Sequence, residues 1–319
     1  MTCSTCGCDS LPEDRFCEAC GTPQAPRIEA SPPPSAPART TASTPRCSCG
    51  GTSFDAEGYC ADCGNKQKSI EPIAAEELTD DLAWASHVGL RHTENQDCAG
   101  IKRLEDGRVL LVVSDGVSSA QDARAASHLV VQTVLDLASS DAHGGEAALN
   151  AAITAAHAAL VQMPYTDLHK QEPQATVVAA LADGTDVCLG WVGDSRAYRI
   201  TADATTHLTE DDSWLNEAVH AGIAMDKALH DPNAHAITQC LGMRDDTPEV
   251  HTKRITLAAG DWLMLCSDGL WNYADGDAEM NAVVQKFIGL TARGLGEALV
   301  AFANASGGMD NTSVAALRV

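Results

Sequence analysis

VLLVVSDG at residues 109–116 and WLMLCSDG at residues 262–269 share one form, a short apolar run followed by Ser-Asp-Gly. Each run is rich in Val and Leu and too short for a helix, so each reads as a buried strand. Each strand stops at an aspartate, Asp115 or Asp268, and the next residue, Gly116 or Gly269, lets the chain turn tightly. A strand end is a stiff place from which to aim a carboxylate. One such aspartate is more often a turn residue than a site residue. Two in matching contexts point to shared chemistry.

TVVAAL (176–181) and VCLGWVG (187–193) are two more strand runs, and the ADGTD between them is a hairpin turn. Helical runs are expected over 120–139, 146–162, 213–221 and 277–303, the last with a break near 289–294. Helix-paired strands plus an antiparallel hairpin indicate an α+β layered domain, expected from residue 82 to 319. Aromatic residues are only 4% of the chain, so Val, Leu, Ile and Ala must fill its core.

The chain before residue 82 is of another kind. Nine of the 13 cysteines precede residue 64. They form an internal repeat. CSTCG and CEACG are separated by ten residues between Cys6 and Cys17, and CSCG and CADCG by ten between Cys49 and Cys60. Paired thiolates followed by Gly suit the tight turn of a zinc knuckle, and two knuckles make a tetrahedral four-thiolate site. The spacing predicts one structural Zn²⁺ on Cys3, Cys6, Cys17 and Cys20 and another on Cys47, Cys49, Cys60 and Cys63, with Cys8 left over. Such modules are too small to fold on their own cores; the metal supplies on the order of 10 kcal/mol each. The expected order is a ribbon at 1–21, a disordered Pro/Ala/Ser/Thr linker at 22–46, a second ribbon at 47–64 and a connector at 65–81. Three of the four remaining cysteines (Cys98, Cys188, Cys240 and Cys266) fall in strand-like runs and are expected as small core residues.

The net charge is −23, of which −20 lies after residue 75. A surface this acidic repels nucleic acid and anionic lipid and suits a site that collects divalent cations. No run of ~18 apolar residues occurs, and MTCSTCGCDS lacks the basic and apolar stretches of a secretory signal. A cytoplasmic protein with no membrane or nucleic-acid partner is expected.

Asp97 in RHTENQD and Asp310 in GGMDNTS extend the carboxylate set. Hard cations such as Mg²⁺ and Mn²⁺ take carboxylate and water ligands. Four converging aspartates could hold two ions ~3.5–4 Å apart, which would acidify a bridging water and aim it at phosphorus.

The order GLRHTENQD, SDG, GDSRAY, LTEDDS, SDGLW, DNTS resembles the metal-dependent protein phosphatases (the PPM family, type 2C) across residues 82–319. The resemblance implies a four-layer α-β-β-α sandwich of two antiparallel sheets with the metal centre at one end. It implies a serine/threonine protein phosphatase using two Mn²⁺ or Mg²⁺ ions, with a weaker third. Asp115 would bridge both ions, with the Gly116 carbonyl also ligating. Asp268 and Asp310 would complete one ion, Asp97 would act beside the second, and Asp194 of GDSR would serve the third, bordered by Asp211 or Ser213. A structural turn and ion pair is the other role open to Asp194 and Arg196. Arg91 could grip the phosphate and His92 protonate the leaving oxygen. The substrates implied are phosphorylated proteins, opposing a serine/threonine kinase of what looks like a bacterial cell, with a further protein partner at the ribbons.

The pattern is broken in places. Gln96 stands where a glutamate is usual, Ser118 and Ser119 replace glycines, His92 occupies the usual arginine position, and Asp212 replaces a histidine. These departures leave a second function open: a weakly active or inactive phosphatase-fold module, tethered through zinc ribbons, that binds a regulator.

Overall fold

The computed structural model describes residues 52–53, 61–63, 72–138, 145–166 and 171–319. The chain divides into two units, Met1–Lys68 and Ser69–Val319. In the first, the Ala61 amide donates to the Ser53 carbonyl and Cys63 lies exposed in the turn 61–63. The other expected zinc ligands (Cys3, Cys6, Cys17, Cys20, Cys47, Cys49 and Cys60), and the linker at 22–46, lie outside the described residues.

The second unit contains two antiparallel sheets. One is built from β1 (Ala74–Thr79), β2 (Leu82–His87), β7 (Arg196–Ile200), β8 (Thr205–His207), β10 (Trp262–Cys266) and β11 (Thr312–Arg318), in the order β1-β2-β11-β10-β7-β8. The other runs β3-β4-β5-β6-β9, from β3 (Asp97–Arg103), β4 (Val109–Asp115), β5 (Val177–Asp183), β6 (Asp186–Val192) and β9 (His251–Thr256). Helices α1 (Ala123–Leu137) and α2 (Gly145–Val161) cover the outer face of the five-stranded sheet. Helices α5 (Asp268–Trp271), α6 (Asp277–Val284) and α7 (Ala292–Ala305) cover the outer face of the other. Two short helices, α3 (Trp214–His220) and α4 (Met225–Ala228), lie between β8 and β9. The four-layer arrangement follows from these faces.

Strand parity sets the layers. Side chains alternate between faces, and the odd residues of β3, β4, β10 and β11 (Ala99, Ile101, Leu111, Val113, Leu263, Leu265, Ala315 and Leu317) meet in the inter-sheet core. The even ones of β4, Leu110 and Val112, face α1 and α2, which present Val130, Val134, Leu149 and Ile153 at helical spacing, and those of β10 and β11, such as Met264 and Val314, face α5, α6 and α7. Small and branched aliphatics dominate, as the composition requires, although Trp262 and Tyr198 are also fully buried. Cys188, Cys240 and Cys266 are buried.

One boundary differs from expectation. Residues 74–79, assigned to the connector at 65–81, form edge strand β1, paired with β2 from Ala74↔Ser86 to Thr79↔Leu82. AAEELT is mostly exposed and carries no apolar alternation, so periodicity could not reveal it. The pairing comes from its neighbour. The last helical stretch also splits earlier than expected, with α6 ending at Val284 and α7 starting at Ala292 behind an N-cap on Thr291.

Candidate metal centre

At one end of the sandwich the inter-sheet rows change from aliphatic to polar. The row Ile101-Ala99 of β3 ends in Asp97, and Leu111-Val113 of β4 ends in Asp115. The two are register partners, directly opposite across the antiparallel pair. On the facing strands the same rows end in Ser267, Ser313 and Ser86, all buried. Ser267 Oγ donates to Asp97 Oδ2 at 2.7 Å and accepts from the Ser313 amide at 2.9 Å. Ser86 and Ser313 hydroxyls bond each other at 2.7 Å. On β4's other side, Thr176 Oγ1 accepts from the Asp115 amide at 3.1 Å and bonds Ser195 Oγ at 2.7 Å.

The two glycines of the opening motifs are fixed by packing. A Cβ on Gly116 would collide with the Ala123 and Gln96 carbonyls, and one on Gly269 with the Asn311 carbonyl. The turns after both aspartates therefore bring other segments against the site: the start of α1, the RHTENQD loop and the DNTS loop.

Like charges directly opposite in a sheet are destabilising, and their titration reflects it. Burial first, then the charges of Asp268 and Asp310, push Asp97 up to about 7 against the Ser267 and Ser313 hydrogen bonds. Burial, with Asp97, Asp268 and Asp194 alongside, holds Asp115 well above the carboxylate range. Asp268 rises to about 6 through burial and Asp310, and hydrogen-bonds Asp115 and Asn272. Asp194 rises through burial and then Asp268 and Asp211. Five of the expected aspartates thus stand within each other's electrostatic reach.

The donor chemistry fits a hard cation. Asp97 Oδ1, Asp194 Oδ1 and Asp268 Oδ1 are buried without a hydrogen-bond partner, an arrangement that costs free energy unless something positive meets them. All are carboxylate oxygens, the ligands Mg²⁺ and Mn²⁺ prefer. Among the described residues, no three His, Cys, Asp or Glu side chains close around one point as a finished ligand shell. The cluster is defined by its electrostatics and its unpartnered oxygens.

Other expected residues fall as follows. His92 Nε2 lies 3.3 Å from Asp310 Oδ1, and Arg91 precedes it on the same exposed loop. Arg196 is the ion-paired member of GDSR: its guanidinium holds Asp211 and Asp275 (both contacts under 3 Å) and stacks 3.6 Å over Trp271. Asp194 takes no part in that pair; Trp271 Nε1 reaches only its carbonyl. Asp211, expected beside Asp194, raises it electrostatically while its oxygens serve Arg196. Ser213 caps α3. Asp212 is buried and accepts from the Gly193 amide, Gln239 Nε2 and His251 Nε2, fastening the turn before Asp194.

Two of the departures touch. Ser118 Oγ donates to Gln96 Oε1 at 2.9 Å. The Gln96 carbonyl accepts from Gly116 and from Ser127 Oγ, and its amide donates to Asn311 Oδ1 at 2.7 Å. Asn311 was not singled out from sequence. It ties Val88 and Glu94 to the loop carrying Asp310, and its place beside Asp310 was the available signal. Ser267 was likewise visible only as the Ser of Ser-Asp-Gly.

Residues 86–302 match the family model described as Protein phosphatase 2C. The serine/threonine phosphatase stp of Listeria innocua is 29% identical over 231 residues, 70% of this chain and 90% of that protein. Among solved structures, the Streptococcus agalactiae serine/threonine phosphatase superposes with a TM-score of 0.64 at 26% identity, over 78% of this chain and 100% of that one. The catalytic domain of the serine threonine protein phosphatase PstP, solved with two manganese ions, gives a TM-score of 0.60 at 26% identity, over 78% and 100%.

Proposed function

The chain belongs to the protein phosphatase 2C family, and from that premise we propose that its aspartate cluster binds two Mn²⁺ or Mg²⁺ ions to hydrolyse phosphoserine and phosphothreonine in proteins. It is a serine/threonine phosphatase of this type, as its relatives are named. The observation that carries the residue assignment is the Asp97–Asp115 register pair at the polar end of the sandwich, with three buried carboxylate oxygens unpartnered around it.

Asp115 would serve both ions, with the Gly116 carbonyl also ligating, Asp268 and Asp310 would serve one of them, Asp97 the other, and Asp194 a third. When bound, such cations supply Lewis acidity at the phosphoryl oxygens and make water acidic enough to attack at neutral pH. The chain's own residues do the rest. Ser267 holds Asp97 Oδ2 and leaves Oδ1 to orient the attacking water. Asp310 orients His92, which passes a proton to the departing serine or threonine oxygen. Arg91 offers its guanidinium to the phosphate. Asn311 and Gln96 fasten the loops that carry these groups.

Two structural Zn²⁺ ions in the cysteine repeats, a protein partner there, and an opposing serine/threonine kinase complete the reading. Its support is the spacing of the cysteines and the chemistry of the substrate. The test is Mn²⁺-dependent hydrolysis of an aryl phosphate and a phosphopeptide. Asp115→Asn should abolish both with the fold intact, because it removes the charge that both cations share. Activity within tenfold of the wild type in that variant would overturn the two-ion assignment.

A further inference from the structure

A cleft of about 420 Å³ runs between the β1–β2 edge and α1, and Asp97 lies in its wall. Its floor is apolar, with Trp84, Ile101, Val131 and Leu135, and Arg124 and His128 stand one helical turn apart on α1 at its mouth. The same two residues line a neighbouring depression of about 310 Å³ that includes Glu94, two residues beyond His92. The two hollows form one trough from the catalytic loop along α1.

The trough carries carboxylates as well as donors. Glu76 already accepts from Trp84 Nε1 at 3.1 Å and Asp122 from Gln121 Nε2 at 2.9 Å. Asp97 belongs to the aspartate centre. Gln132 is spent on Asp136 and Asn95 on Ser86. Its open donor capacity is concentrated on α1, at Arg124 and His128. Arg124 is 57% exposed and meets Glu94 only at 3.7 Å, using little of its five-donor fork. His128 makes no hydrogen bond or ion pair among the described residues, and burial and Arg124 lower its pKa. Open donors above an apolar floor fit an acidic side chain with its methylene stem laid inward.

We propose that this trough is a specificity subsite, in which Arg124 and His128 receive an Asp or Glu side chain of the substrate close to its phosphorylated residue. The proposal rests on the phosphatase reading. It explains how a domain with 35 acidic and 15 basic residues after residue 75 can hold an acidic peptide: the local donors face the incoming chain where the global charge does not. Glu94 is then a competitor that the substrate carboxylate displaces.

The experiment uses the full chain with Mn²⁺, an aryl phosphate, and phosphoserine peptides carrying Glu or Lys at each flanking position in turn. The wild type should favour Glu at one position by about tenfold in kcat/KM, the range for a partly exposed charge-assisted contact. Arg124→Glu should reverse that preference at the same position. Glu94→Gln should sharpen it, and His128→Ala should weaken it. Aryl phosphate turnover should stay within twofold in all three. An unchanged peptide preference in Arg124→Glu overturns the proposal, as does an equal loss on aryl phosphate. If acetate or benzoate alters wild-type aryl phosphate turnover through Arg124 while peptide preference is flat, the trough serves a free carboxylate and the peptide assignment is wrong. Absence of Mn²⁺-dependent turnover of any substrate by the wild type would instead sink the underlying phosphatase reading.

Discussion

Asp97→Asn should destroy activity and, with divalent cations chelated, make the catalytic domain more stable. The amide keeps the shape, and its oxygen still accepts from Ser267 at the 2.7 Å contact, but it removes a charge that is buried and stands near Asp268 and Asp310. Moving Asp97 from 3.8 to about 7 corresponds to about 4 kcal/mol. The sign follows from proton binding. Between pH 4 and 7 the native state holds a proton that the unfolded chain has released, so this group lowers stability progressively as pH rises across that window. Below pH 4 both states are protonated and the effect disappears. At pH 7.5 the variant should therefore gain up to about 4 kcal/mol, an increase in Tm on the order of 10 °C for a domain of this size. All five tryptophans lie after residue 82, so fluorescence-monitored unfolding in EDTA reports this domain without contribution from the cysteine repeats. The gain should shrink toward zero at pH 4 and diminish with added Mn²⁺, whose charge offsets the carboxylate. A variant no more stable than the wild type at pH 7.5, or a difference independent of pH, would refute the reasoning.

Three further outcomes are expected. A chain beginning at Ser69 should turn over aryl phosphate at close to the full-length rate, whereas one beginning at Leu82 should melt several degrees lower, because β1 and the packing of Ile73 and Ala75 are worth about 2 kcal/mol; equal melting temperatures would show β1 dispensable. Elemental analysis of the full chain should find about two zinc ions, and a zinc-free protein with four disulfides would contradict the ribbons. Gln96→Ala and Ser118→Ala should each weaken Mn²⁺ binding measured by calorimetry, and the double variant should lose less than the sum, because the two share the 2.9 Å hydrogen bond; strict additivity would show the contact idle.

The strands that sequence reading identified are those buried on both faces, such as VLLVVS and WLMLCS, whose continuous apolar runs no loop would carry. β1, AAEELT, and β9, HTKRIT, are exposed or half-exposed edge strands whose pairing is decided by the neighbour. β2, β3, β7, β8 and β11 also went unnamed, and of these β2 (LAWASH), β7 (RAYRI) and β11 (TSVAALR) are buried interior strands in which polar residues such as Ser86, His87, Arg196, Thr312 and Ser313 break the apolar run. The aspartates were legible because each sits at a change from apolar to polar sequence. Their supports were less so. Ser267, Ser313 and Asn311 are ordinary polar residues in sequence, and only the folded rows put two of them against Asp97 and the third between two loops. Arg196 and Asp194 are two residues apart, yet one is a buried ion pair and the other an unpartnered carboxylate; spacing alone cannot separate them.

The register that sets Asp97 opposite Asp115 begins at Arg103↔Val109, beside the hairpin loop, and runs seven pairs to the site. Because side chains alternate, one added or deleted residue inside either strand turns every later position onto the other face. An insertion in 98–102 or 110–114 would therefore swing a carboxylate toward α1 and bring Cys98 or Ser114 into its place at the proposed cation site, whereas one at 104–108 only lengthens a loop. Exchange of one aliphatic for another along these strands leaves the aspartates in place. The centre therefore constrains strand length more strictly than the identity of the residues between its ends.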